Sequence, residues 1–261
     1  MAFSRSLRRA LLAASLALAA LLPGAAQADV DFASGPKNLV ISYRADVADR
    51  PAFRQYLLNK EAAKLRQLKA QGVLSSFQIY YSWYAQPAVW DALVVLQFPN
   101  DTNVKRWNEI ERTQPGGLDA EGLKLARPVS SYSSDLPYTA ENAHSSARAD
   151  RVYYIIPYEN NGVAQYNAYV KGYVLPQYEG WMKNGALAGY DVFYNRFSVG
   201  TPWDSLIILK YRDLQSFGRR QSVLDEVRKT LQGNKVWTDY HAIKDKIRSE
   251  TENSIADLIA E

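Results

Sequence analysis

Residues 39–43 read Leu-Val-Ile-Ser-Tyr, a short β-branched run between polar neighbours, and predict a strand. Asp49, a candidate N-cap, and Pro51 then mark a helix start. Phe53, Leu57, Leu65 and Leu68 recur near helical spacing until Gly72 stops them. Residues 77–84 alternate as a second strand, 85–89 form a turn around Pro87, and 90–98 predict a third strand. Asp101 is placed to cap a second helix carrying Val104, Trp107 and Ile110, which Pro115-Gly116-Gly117 ends. A fourth strand is predicted near 128–132.

The same order then recurs. Residues 152–156 predict a strand, and 163–183 a helix that Gly172 and Pro176 should kink or break. Strands follow over 190–197 and 203–211, Asp213 caps a helix through Val227, and 236–241 predict the last strand. Ile243, Ile247, Ile255 and Leu258 share one stripe of the tail, which predicts a docked amphipathic helix over 243–259. The recurrence extends to the residues themselves. Shifted by 113 positions without a gap, 72–98 falls on 185–211, pairing Gly72 with Gly185, Tyr81 with Tyr194, and Trp90-Asp91 with Trp203-Asp204. The first strands match at a shift of 115, which sets Tyr43 on Tyr158. Repeats this long are whole folding units. The chain divides into a leader (1–28), unit one (29–132), a linker rich in Ser, Ala, Asn and Pro (133–149) and unit two with its C-terminal helix (150–261).

Each unit is thus β-α-β-β-α-β, the ferredoxin-like arrangement, and the fold class is α+β. Leu93-Val-Val-Leu96 and Leu206-Ile-Ile-Leu209 are apolar on both faces, as expected where helices cover one face and a second sheet the other. This element order, fused in tandem over nearly the whole mature chain, resembles the dimeric α/β-barrel superfamily. The resemblance implies two sheets closing a barrel with helices outside and a pocket inside or beside it. The units pair either within one chain or across a homodimer. The activities it implies range from cofactor-free monooxygenases and isomerases to haem enzymes such as chlorite dismutases, and fold alone does not choose among them.

Arg5, Arg8 and Arg9, the apolar run 10–22, the Pro23-Gly24 break and Ala26-Gln27-Ala28 have the layout of a secretory signal peptide cleaved before Asp29. The run is shorter than the roughly 20 residues that span a bilayer, and no later segment approaches that length. The expectation is a mature protein with no membrane span, periplasmic or secreted. Removing three arginines and no acid leaves 28 basic against 27 acidic residues, which argues against a nucleic-acid partner. The chain has no cysteine, so thiol nucleophiles, thiolate–zinc sites and Cys-ligated clusters are excluded.

There is no G-x-S-x-G elbow, no G-x-G-x-x-G and no phosphate loop. His144, in the linker, and His241, at the end of the predicted last strand, are the two histidines. Neither sits in a haem motif, so the expectation is no cofactor, with haem on His241 as the alternative. Aromatic content is the distinctive feature: 18 Tyr, 6 Trp and 8 Phe. Strand 77–84 places Gln78, Tyr80, Ser82 and Tyr84 on one face, and its counterpart places Asp191, Phe193, Asn195 and Phe197 there. Aromatics mixed with small polar groups suit a small-molecule pocket, and equally a filled core. Asp91 and Asp204, at matched positions after the tryptophans, are either pocket carboxylates or acceptors at hairpin ends. Arg196, which breaks the repeat against Trp83, is a candidate anion contact. The ligand-site candidates are therefore Tyr80, Tyr84, Asp91, Phe193, Asn195, Arg196, Asp204 and His241. The leading functional reading is an exported barrel that binds a small apolar or aromatic molecule. The alternatives are a cofactor-independent monooxygenase or isomerase and a structural module.

Overall fold

The computed structural model describes residues 37–86, 89–142 and 146–261. The leader expected at 1–28 and Pro87 of the expected turn lie outside the described residues. Unit one begins with β1 (Asn38–Ala45). Helix α1 follows through Arg50–Tyr56, a π turn at Leu57–Glu61, and Ala62–Ala70. Then come β2 (Ser76–Ser82), β3 (Ala92–Gln97), α2 (Asp101–Thr113), the short α3 (Gly122–Leu125) and β4 (Ala126–Glu141). Unit two has β5 (Val152–Asn160), then α4 through Val163–Tyr169, a π turn at Val170–Val174, and Leu175–Lys183. It continues with β6 (Leu187–Asn195), β7 (Ser205–Tyr211), α5 (Leu214–Gly218), α6 (Arg220–Leu231), α7 (Lys235–Ile247), β8 (Arg248–Glu250) and β9 (Ser254–Ala260).

Within unit one the strands lie in the order β4-β1-β3-β2, and within unit two β9-β5-β7-β6. Two strands join the units. β4 pairs with β1 up to Ser134 and from Ser134 onward pairs with β6. β9 lies between β2 and β5, with Ala256 opposite both Ser82 and Tyr153. The result is a closed eight-stranded barrel in a single chain, which leaves none of those eight strands as a free edge.

Strand alternation divides the apolar residues into three cores. Val40, Tyr80, Leu93, Phe193, Leu206 and Ile208 point into the barrel. Ile41, Phe77, Ile79, Val94 and Leu96 pack under the helices of unit one, and Val192, Tyr194, Ile207 and Leu209 under those of unit two. The doubly apolar β3 and β7 thus face a helix layer on one side and the barrel interior on the other, as their sequences require.

Four sequence expectations are corrected. Residues 133–141 of the predicted linker are strand, because their backbone pairs with β6 across a register shift between Asp135 and Tyr138. Residues 236–241 are helix, so His241 lies on α7; Trp237 and Ile247 form its buried stripe. The tail helix ends at Ile247, and Ile255 and Leu258 belong to β9, where the ladder to β2 and β5 outweighs helical spacing. The caps shift as well: Asn100, not Asp101, caps α2 through the Asn103 amide (3.1 Å), and Asp49 makes no side-chain cap bond. Asp213 does cap α5, accepting from the Ser216 amide at 2.6 Å. The expected break near Pro176 takes the form of a π turn at Val170–Val174, and the helix continues through Pro176. α1 has the same turn at the matching place without a proline, so the feature belongs to the unit rather than to Pro176.

Candidate functional site

The helix layer of unit two does not close fully on its sheet. A cleft of about 310 Å³ remains between β5, β7 and helices α4 and α6. Its lining includes Tyr154, Tyr158, Tyr169, Tyr173, Tyr178 and Tyr211, with Trp181 and the guanidinium groups of Arg220, Arg228 and Arg248. Tyr166, Tyr169 and Tyr173 recur at three and four residues, so α4 carries one tyrosine stripe along its sheet-facing side, and Tyr169 and Tyr173 stack at 5.1 Å. The residues of unit one that match Tyr166, Tyr173 and Tyr178 are Phe53, Lys60 and Leu65.

The arginines are held differently. Arg248 ion-pairs with Glu250 (3.2 Å) and lies 4.8 Å over the Tyr158 ring. Arg220 sits over Phe217, and Arg228 donates to the Gln177 side chain at 3.1 Å. Neither Arg220 nor Arg228 has a carboxylate partner among the described residues, so the cleft has an excess of positive charge. Burial pushes the Tyr158 and Tyr178 phenols well up and the Tyr169 phenol to about 12, so these three stay neutral donors.

A relay leaves the cleft at Tyr173. Its hydroxyl lies 2.9 Å from His241 Nδ1, and Arg228 Nη2 lies 3.5 Å from the same oxygen. The His241 ring stacks on Trp237 at 5.0 Å and 14°. Partial burial, then the charges of Lys244 and Arg228, hold the His241 pKa below its ordinary 6.5. A neutral imidazole with its proton on Nε2 presents Nδ1 as the acceptor of the Tyr173 proton.

Of the residues expected at a site, His241 alone adjoins this cleft, through Tyr173. Tyr80 and Phe193 are buried in the barrel core, Tyr80 against Tyr153 at 5.1 Å. Tyr84 is exposed beyond the end of β2. Asp91 and Asp204 play the hairpin-end role. Asp91 accepts from the Ala45 amide (2.9 Å) and from Arg50 (2.5 Å), and Asp204 accepts from the Asn160 amide (2.7 Å). Their own amides donate to the matched carbonyls of Tyr43 and Tyr158. Asn195 ties the β6–β7 loop through Thr201 and the Trp203 carbonyl. Arg196 bonds Asp135 on β4 at 2.9 Å, so it braces the β4–β6 seam. His144 lies outside the described residues. The tyrosines of α4 and the arginines of α6 were missed. The usable signal was the i, i+3, i+7 tyrosine stripe combined with its mismatch against unit one.

No protein-family model matches the sequence, and no curated protein matches it. Solved structures do. A putative monooxygenase from Fusobacterium nucleatum is 12% identical, with a TM-score of 0.51, covering 85% of this chain and 93% of that one. An anthrone oxidase-like protein is 10% identical with a TM-score of 0.51, covering 87% and 93%. A heme-binding protein from Thermus thermophilus is 13% identical with a TM-score of 0.46, covering 85% and 90%, and chlorite dismutases are also among the similar structures. The expectation of no cofactor is corrected by this finding: haem binders are among the proteins this chain resembles in structure.

A haem needs an axial donor at its iron and cations for its carboxylates. The cleft offers the cations in Arg220 and Arg228. It does not offer the donor in this geometry. No described histidine lines it, His241 stands one ring behind with Nδ1 taken by Tyr173, and burial pushes the Tyr158, Tyr169 and Tyr178 phenols up, away from the phenolate a ligand would need. The cleft residues as they stand do not fit an axially ligated haem, and no step below runs through one. Among the described residues, no group of three His, Asp or Glu side chains could hold a metal ion. By strand order, barrel closure and structural likeness, the chain has the fold of the dimeric α/β-barrel superfamily, the ferredoxin-like group to which these proteins belong.

Proposed function

We propose that the tyrosine-lined cleft of unit two binds a small planar aromatic acid, a phenol, enol or carboxylate, as its anion. The observation that carries this reading is an aromatic cavity with two guanidinium groups that no protein carboxylate neutralises among the described residues. The aromatic walls supply stacking area, and the arginines favour the ionised form of the ligand. Tyr173 and His241 give the site acid–base capacity. A ligand that enters in its neutral form is ionised in the site: its proton passes to the Tyr173 oxygen as Tyr173 gives its own to His241 Nδ1, which leaves the ligand as the anion, imidazolium at His241, and Arg228 beside the Tyr173 oxygen facing the new negative charge.

Turnover is the second reading, and the same relay favours it, since deprotonating an acidic aromatic is the first step of its oxidation. The putative monooxygenase and the anthrone oxidase-like protein share the fold and are named for chemistry of that class. In this proposal residues 1–28 act as a cleaved leader and the protein works in the periplasm or outside the cell. No described helix is long and apolar enough to cross a membrane.

Calorimetry with 1-hydroxy-2-naphthoate and its non-ionisable analogue 1-methoxynaphthalene tests the reading. The acid should bind more tightly, and Arg228→Gln or Arg220→Gln should weaken it about tenfold while leaving 1-methoxynaphthalene unchanged. Equal affinity for acid and neutral compound in the wild type would overturn it. For turnover, Tyr173→Phe should retain binding of the acid and lose anthrone oxidation in air.

A further inference from the structure

We propose that the open mouth of the barrel is a second ligand site, built for a compact hydrophobic organic cation. The barrel holds a cavity of about 400 Å³ at one end, lined by residues of β1, β3, β4, β5 and β7, separate from the cleft, with which it shares no lining residue. Its walls include Trp90 and Trp203, the two tryptophans that stand 113 positions apart at matched places in the two units. Trp203 is buried and fixed edge-on against Tyr132 at 5.3 Å and 88°, so that wall is rigid. Between the walls the surface is apolar, with Val40, Leu93 and Leu206 as the floor.

The charge at this end is opposite to that of the cleft. Glu159 and Glu252 line the mouth, and neither makes an ion pair among the described residues. Arg44, the single cation in the lining among the described residues, is directed to the Gln86 carbonyl at 2.6 Å, so two carboxylates stand against one guanidinium. Two carboxylates without a paired cation over an apolar floor repel an anion and attract a cation, and tryptophan is the aromatic side chain that binds a cation best. An apolar group entering the mouth would cover the floor, and its charge would stay level with Glu159 and Glu252.

A matched trio of probes isolates charge from shape: 4-tert-butylbenzylammonium, 4-tert-butylbenzyl alcohol and 4-tert-butylbenzoate, titrated calorimetrically into the full protein. The ammonium compound should bind about tenfold more tightly than the alcohol. The Glu159→Gln/Glu252→Gln double variant should remove that advantage and leave the alcohol unchanged. Trp90→Ala should abolish ammonium binding and Trp90→Phe should retain part of it, with an unchanged melting temperature showing that both remain folded. Arg228→Gln, in the cleft, should leave ammonium binding unaltered. Three results would overturn the proposal: alcohol and ammonium binding equally, ammonium affinity indifferent to the double variant, or no binding of the ammonium compound. The benzoate reports on the cleft, so its behaviour separates failure here from failure of the aromatic-acid reading.

Discussion

At the scale of single residues, identical letters do different work. Asp91 and Asp204 occupy matched positions and accept matched backbone amides, yet only Asp91 is also ion-paired among the described residues, with buried Arg50. Removing one partner of a buried pair leaves the other uncompensated and costs about 3–5 kcal/mol, whereas one hydrogen bond to an amide is worth about 1 kcal/mol. Asp91→Ala should therefore destabilise the protein far more than Asp204→Ala in urea unfolding; equal losses would refute the assignment. His241 gives a second prediction at this scale. Its folded pKa is depressed, so the unfolded chain binds more protons as pH falls from the unfolded value of about 6.5 toward the folded one. This group's contribution to stability is thus present above about pH 6.5 and is lost through that lower window. An NMR titration of the His241 ring should give a midpoint below 6.5, and Tyr173→Phe should alter it. A midpoint at or above 6.5 would remove His241 as a neutral acceptor at pH 7.

At the scale of elements, the close approaches are made at glycine. A Cβ on Gly189 would lie 2.3 Å from the Ala140 carbonyl oxygen across the β4–β6 seam, and backbone cannot move aside as a side-chain tip can. Gly189→Ala should destabilise by about 2–3 kcal/mol, at the upper end of overpacking costs. Gly180 meets a Val227 methyl at 2.5 Å where α4 packs on α6, next to the cleft. Gly180→Ala should push α6 outward, and the expected sign is a change in aromatic-acid affinity in calorimetry at a smaller cost in melting temperature.

At the scale of the molecule, closure depends on two strands that serve both units. Deleting residues 254–261 removes β9 and exposes the facing edges of β2 and β5. The truncated chain should lose its single cooperative melt and associate through those edges, as read by circular dichroism and light scattering. A monomeric variant with an unchanged melt would show that closure is dispensable. The barrel's ends also differ. Opposite the open mouth, inward-facing Lys210 and Asp191 pair at 2.9 Å beside Arg151 and Glu141. Unit one has Gln97 and Gln78 at the matched positions, so the ion pair belongs to unit two alone.

The sequence by itself determined the two β-α-β-β-α-β units, the faces of β2, β3, β6 and β7, and the hairpin-end role open to Asp91 and Asp204. These follow from local periodicity and from an alignment of the chain with itself. Only the tertiary structure decided that β4 and β9 cross between units, that residues 236–241 coil rather than extend, and where the cavities lie. A strand's ladder partners and a helix's packing face are set by residues far away in the chain, and short apolar runs such as 236–241 and 254–260 fit either period. The cleft escaped the sequence for a related reason. Its tyrosines come from β5, α4 and β7 and its arginines from α6 and β8, and nothing local marks that these side chains converge while Tyr80, Phe193 and Arg196 are spent on the core and the seam.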